Sequence, residues 1–200
     1  MTKLDRMPDT KLLLFTTSLL ACSTQPAPSV AGHWRSECLP TPQANGSTLY
    51  ATLDLVGTGT DRWALDYTLH GDAACSAALV TVSIDGTYSI DEPSKVVTDA
   101  WNARFGFDDK RITPRVQQLA DALTAAHCGT AAWQVGAAQS VYTAGCAAFG
   151  QYPAAQCAAD YDLVAVDGNS LRFGARPADN NLCNPDKRPT ALASISLTKQ

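Results

Sequence analysis

From Trp63 to His70 large apolar residues alternate with small or polar ones: Trp63, Leu65, Tyr67 and Leu69 fall between Ala64, Asp66, Thr68 and His70. Successive side chains of a strand point to opposite faces, so this stretch fits a strand with one face in a core and misfits a helix. The same period recurs along the chain. Leu49 to Val56 reads as the partner strand across the turn Gly57-Thr58-Gly59-Thr60, and Gly71-Asp72 turns the chain into Ala77 to Ile84. Asp85-Gly86 reads as a hairpin turn into Thr87 to Ile90, which Pro93 ends. Lys95 to Phe105 then places Val97, Trp101, Ala103 and Phe105 on one side. Later candidates are Trp133 to Gly136, Gln139 to Thr143, Tyr161 to Val166, Leu171 to Ala175 and Ala191 to Leu197, with Asp167-Gly168-Asn169 as a second hairpin turn.

One segment breaks the series. Val116, Leu119, Leu123 and Ala126 recur at helical spacing, with Thr113 placed to cap and Pro114 at the first turn. The expected fold is therefore all-β with one helix, whose apolar stripe covers an open end or flank of the sheet. A meander with few residues to spare for a second sheet favours a closed antiparallel barrel over a sandwich. A barrel of this size can hold one small ligand.

The N-terminus gives an address. Lys3, Arg6 and Lys11 precede the apolar run Leu12 to Leu20, which ends in Ala21-Cys22. The run is about half the ~20 residues that a spanning helix needs, so it reads as a lipoprotein signal, residues 1–21, cut before a lipidated Cys22. Residues 22–30, with Pro26 and Pro28, read as a tether, and residues 31–200 as one domain. Ser23 is not the Asp that retains such proteins in the inner membrane, so the expected location is the outer membrane of a bacterial envelope.

Export into an oxidising space gives the remaining cysteines a meaning. Cys38, Cys75, Cys128, Cys146, Cys157 and Cys183 are even in number, as a framework of three disulfides requires. Fifteen pairings are open; Cys128 with Cys146 is the most natural, because the Gly-containing segment between them can turn back. A zinc site competes poorly, with no CxxC and no ligand spacing among His33, His70 and His127, so no metal or cofactor is expected.

Charge excludes another class. The full chain carries a formal −4, and removing a signal with three cations and with Asp5 and Asp9 leaves the mature protein at −5. No basic stripe is present to neutralise phosphates, so nucleic acid is not an expected partner. Catalytic motifs are equally absent: there is no Gly-x-Ser-x-Gly, no His-Glu-x-x-His and no phosphate-cradling loop. Asp108-Asp109 and the pair Asp160 and Asp162 read as solvated turn carboxylates rather than an acid–base couple. Cys128 beside His127 reads as a bonded sulfur next to a helix C-terminus, not a nucleophile. The chain is expected not to be an enzyme.

An ordered set of segments carries a resemblance. Gly32-His33-Trp34-Arg35-Ser36-Glu37-Cys38 is similar to the Gly-x-Trp start of lipocalin-like barrels. It is followed by the Trp and Tyr strand before Cys75, Asp85-Gly86-Thr87-Tyr88, and the aromatic strand through Trp101. Next come a helix ending in His127-Cys128, Trp133-x-x-Gly136 and Gly145-Cys146. Tyr161-Asp162-Leu163-Val164 with Leu171-Arg172-Phe173-Gly174 completes the set. Over residues 31–198 the chain resembles the adenomatosis polyposis coli down-regulated (APCDD-type) family, Wnt inhibitors in animals with bacterial relatives. The resemblance implies a lipocalin-like barrel with an apolar cavity associated with holding acyl chains. This chain departs in having one copy of the domain and a lipid anchor, and Cys157 and Cys183 fall outside the family pattern. Binding to a lipidated Wnt ligand does not carry over; holding a fatty acid or lipid does.

The pocket candidates are Trp63, Leu65, Tyr67, Val97, Trp101 and Phe105. If the interior is roomy they wall a pocket; if it is filled they are core. Trp34 is expected to close the barrel floor, with Arg172 over its ring. The alternative function is a filled scaffold that contacts an unknown envelope partner through the Ala- and Gly-rich stretch Gly129 to Gln156, with Trp133, Tyr142, Phe149 and Tyr152.

Overall fold

The computed structural model describes residues 26–43 and 45–200; the expected lipidation site Cys22, the expected signal and the start of the expected tether lie outside the described residues. The strands are β1 (Gly32–Ser36), β2 (Leu39–Pro42), β3 (Thr48–Thr58), β4 (Arg62–His70), β5 (Ala78–Pro93), β6 (Trp101–Gly106), β7 (Asp109–Pro114), β8 (Gln139–Ser140), β9 (Ala159–Asp167), β10 (Ser170–Phe173) and β11 (Leu197–Lys199). Among the described residues one α-helix, α1 (Gln117–Ala125), interrupts them. β1, β3, β4, β5, β6, β9, β10 and β11 pair in that order, and β11 returns to β1 through Trp34 opposite Lys199. The result is a closed antiparallel barrel of eight strands with no free edge in the ring.

Two of the barrel's walls are strands broken in the middle. β1 and β2 lie end to end along β3, and the break is bridged where the Leu53 N–H donates to Ser36 Oγ at 2.9 Å. β6 and β7 likewise lie end to end along β5, Phe105 opposite Tyr88 and Asp109 opposite Asp85. β6 continues the ring to β9, whereas β7 diverges to β8. β5 therefore runs unbroken through Asp85-Gly86, which is not the hairpin turn that the dipeptide suggests. A Cβ at Gly86 would lie 1.9 Å from the Gly106 carbonyl oxygen, so this glycine permits close approach of two backbones rather than a reversal.

Other boundaries shift for similar reasons. Residues 95–100 form a loop and β6 begins only at Trp101. Thr113 and Pro114 pair with Thr81 and Val80 as the end of β7, so Val116 occupies the N-cap of α1 without a side-chain cap. Trp133 to Gly136 is irregular, β8 is confined to Gln139–Ser140, and of Ala191 to Leu197 only the end reaches a strand, β11.

The core has two centres. Trp34, Leu55, Val164, Leu171 and Leu197 pack at one end with Trp63 and Phe105. Trp34 is 1% exposed, its Nε1 donates to the Val30 carbonyl at 3.0 Å, and the cation over its ring is Lys199, with Nζ 5.1 Å from the centroid. Arg172 is not that cation: it stands between Leu171 and Phe173 on β10, so alternation turns it outward, where it is exposed. The second centre joins Val80, Val82 and Ile112 of the barrel to Ala120 and Leu123 of α1. A nine-residue helix is too short to stand alone. Full burial of Leu123 contributes about 1.5–3 kcal/mol, and the helix closes in a left-handed residue, His127, with the Cys128 N–H donating to Leu123 O and the His127 N–H to Thr124 O.

Three disulfides join these parts: Cys38–Cys75, Cys128–Cys146 and Cys157–Cys183. Cys128 is thus a bonded sulfur, and the pair favoured from spacing is present. Every ring strand, both core centres and all six bonded cysteines fall within residues 30–199. Residues 26–200 therefore contain the elements of a complete fold. Among the described residues no helix is long and apolar enough to cross a membrane.

Candidate functional site

Between the two core centres the barrel encloses a cavity of about 520 Å³. That volume lies within the ~300–1,000 Å³ of pockets that bury most of a small ligand. β4 supplies Trp63, Leu65 and Tyr67 to one wall, and their partners Val82 and Ile84 on β5 extend it. Phe105, Phe107 and Phe173 face them. Trp63 meets Phe105 edge to face at 5.1 Å and 72°, and Phe105 meets Phe173 in the same manner at 5.5 Å and 71°. The Trp63 Nε1–H donates to the carbonyls of Thr87 and Gly106, each at 3.1 Å, which satisfies the one polar atom of the ring and leaves an apolar face for the cavity. Burial raises the Tyr67 phenol above its ordinary range, so it stays neutral.

A polar patch interrupts this lining. Lys110 on β7 pairs with Ile84 and points inward; it is 2% exposed, its Nζ donates to the Tyr152 carbonyl at 2.6 Å and lies 4.7 Å from the centre of the Phe107 ring. Desolvation pushes its ammonium below the ordinary lysine range, partly offset by the charge of Asp160. Asp160 and Asp162 lie opposite Phe105 and Ala103 on β9. Asp160 Oδ2 accepts from Arg176 Nη2 at 2.6 Å. Asp162, 1% exposed, accepts from the Leu163 and Gly174 N–H groups at 2.7 and 2.9 Å, with Arg176 3.9 Å away. Burial nevertheless pushes its carboxyl up to about 6, against the pull of Arg176 and the two N–H donors.

The mouth is made by two loops. Gly150 to Tyr152 and Ala178 to Asn180 both contribute to the lining, and Ala178 is exposed, so the cavity reaches solvent there. Tyr152 Oη donates to the Asp179 carbonyl at 2.9 Å, and Asn180 Nδ2 donates to the Gly150 carbonyl at 3.2 Å. The Cys157–Cys183 bridge ties the bases of the same loops, which gives this bond a position at the rim.

Of the residues singled out from the sequence, Trp63, Leu65, Tyr67 and Phe105 come together on the cavity wall. Val97 lies in the loop before β6, and Trp101 is buried at the first position of β6; neither is part of the lining. Asp160 and Asp162 are buried in the barrel, not solvated in a turn. β9 is apolar on both faces, Leu163 and Ala165 on one and Val164 and Val166 on the other, so period alone could not orient the carboxylates. Lys110 was concealed in the charged run Asp108 to Arg111. Only its register against Ile84 shows that it points inward.

Comparison with protein-family models and with curated proteins returns no match for this chain. What the site can do is therefore argued from its geometry.

Proposed function

We propose that this chain is a lipid-anchored protein of the bacterial cell envelope, held in the outer membrane through Cys22, whose barrel binds or carries a fatty-acyl or other apolar ligand without catalysing a reaction. The observation that carries the reading is the cavity of about 520 Å³ walled by Trp63, Tyr67, Phe105 and their neighbours. An acyl chain that displaces water from such a wall gains about 0.8 kcal/mol per buried methylene, so a chain of ten carbons offsets the ordering costs of binding. The resemblance to the adenomatosis polyposis coli down-regulated family supports the same reading. Its opening Gly32 to Cys38 segment holds β1 and Trp34, and its closing segments hold β9 and β10.

The alternative of a filled scaffold that acts through its loops has less support. Trp133 is buried with its Nε1 donating to the Cys128 carbonyl at 2.8 Å, and Tyr142, Phe149 and Tyr152 are half-buried against the two core centres. The test is native mass spectrometry of residues 26–200 made in an oxidising compartment and titrated with fatty acids and diacylglycerols. One saturable adduct per chain is expected; a protein that takes up nothing returns the aromatic wall to packing. For the anchor, incorporation of an alkynyl fatty acid into the full chain should be lost in Cys22→Ser.

A further inference from the structure

Among the charged groups at the cavity, Lys110 alone makes no ion pair, and Asp160 acts on it only as a charge at longer range. Asp160 is matched by Arg176 at 2.6 Å, and Asp162 has Arg176 at 3.9 Å together with two backbone donors. Among the described residues no carboxylate lies within ion-pair distance of Lys110 Nζ. Its contacts are one carbonyl, from Tyr152, and the face of Phe107. An ammonium has three donors and a full charge, and a buried charge is costly unless it is paired. One backbone carbonyl and one aromatic face leave capacity for a further acceptor on the cavity side. Ile84, its partner on β5, and the Phe107 ring are apolar neighbours of the lysine in a lining that also includes Gln151, Tyr152 and Asp160.

We infer that the ligand of this cavity is a single-chain amphiphile with an anionic head, seated with the head on Lys110 and the chain along Trp63, Leu65 and Phe105. The inference rests on the reading of the barrel as a carrier of apolar ligands and adds the chemistry of the head. A neutral ester or alcohol leaves Lys110 without a direct ion-pair partner. A cationic head is repelled by Lys110 and would have to turn to Asp160, whose Oδ2 already accepts from Arg176. The depressed proton affinity of Lys110 has the same origin, because an ammonium short of partners in a dry site holds its proton less well. A carboxylate and a phosphate monoester share the required chemistry.

The test uses residues 26–200 and four ligands with one twelve-carbon chain: dodecanoate, dodecyl phosphate, dodecanol and dodecyltrimethylammonium. Each is titrated at pH 7.5, below its micelle concentration, by calorimetry. Dodecanoate or dodecyl phosphate should bind roughly tenfold or more tightly than dodecanol, the scale of one charge-assisted hydrogen bond. A preference between the two anions assigns the head as carboxylate or phosphate, and either preference supports the inference. In Lys110→Met the anion should fall to the affinity of dodecanol while dodecanol keeps its own. Should that variant not fold, the ligand series on the unaltered protein decides alone. Equal affinity for dodecanoate and dodecanol overturns the anionic head and leaves the carrier reading standing. Tightest binding of dodecyltrimethylammonium overturns it too and moves the head to Asp160 and Asp162. Binding of none of the four overturns both readings.

Discussion

Asp162 is the residue on which the barrel's interior depends most visibly. Its carboxyl titrates at about 6 in the folded protein against ~3.9 in an unfolded chain, so the folded state holds the proton more tightly. The stability this group contributes is complete below pH 4 and is lost as pH rises through 6. The span is on the order of 2–3 kcal/mol. Urea unfolding from pH 4 to 7 should show that decline, and Asp162→Asn, which keeps an acceptor for Leu163 and Gly174, should flatten it. Gly174 is tied to the same carboxylate: a Cβ there would lie 2.5 Å from Asp162 Oδ1 and 2.4 Å from Pro189 Cγ. Gly174→Ala should therefore cost about 2–3 kcal/mol by denaturant titration. At the opposite end of the barrel, Lys199→Ala should cost up to about 1 kcal/mol through loss of the Trp34 contact. Arg172→Ala should stay within about 0.5 kcal/mol.

At the scale of elements, β5 is the long spine of the structure, and Gly86 is where it meets two neighbours at once. Trp63 lies opposite Gly86, and its Nε1 bridges the carbonyls of Thr87 and Gly106 across the gap that the missing side chain leaves. Asp85 is held by Arg111 at 2.6 Å from β7, a pairing that a turn would not provide. Asn is well tolerated in a hairpin turn and is unfavourable here. Gly86→Asn should thus cost about 2 kcal/mol or more and shift the Trp63 emission, whereas a variant at a true reversal, Gly168→Asn with φ +55, should be nearly neutral. The helix behaves differently. It has no side-chain cap and no acidic residue in its first turn, so its existence rests on Ala120, Leu123 and the Cys128–Cys146 bridge beyond it.

For the whole molecule, the disulfides decide which ends of the barrel are fixed. Cys38–Cys75 fastens the β1–β2 break to the loop after β4, and Cys157–Cys183 fastens the mouth. Closing a loop of 26 residues restricts the unfolded chain by about 3–4 kcal/mol. Cys157→Ala with Cys183→Ala should lose stability on that scale. Because the mouth loops then keep between them the Tyr152–Asp179 and Asn180–Gly150 hydrogen bonds without the covalent tie, ligand release should be faster by stopped-flow displacement.

The class of fold was legible in the chain alone: alternation about Trp63 to His70 demands a half-buried strand, and the spacing of Leu119 and Leu123 marks the one stretch with a helical period. The sequence also determined that six cysteines would pair. It located four cavity residues, because a large aromatic on the apolar phase of a strand points to the interior whichever strand lies beside it. Which strands are neighbours, and from that which polar residues are inside, depends on long-range pairing that no local pattern encodes. Lys110, Asp160 and Asp162 are local residues with ordinary surface composition; closure of the ring through β11 and the register of β7 on β5 bury them. The Gly86 reversal failed for the same reason. A dipeptide can favour a turn, but hydrogen bonds from strands on both sides of β5, distant in sequence, outweigh a preference of about 1 kcal/mol.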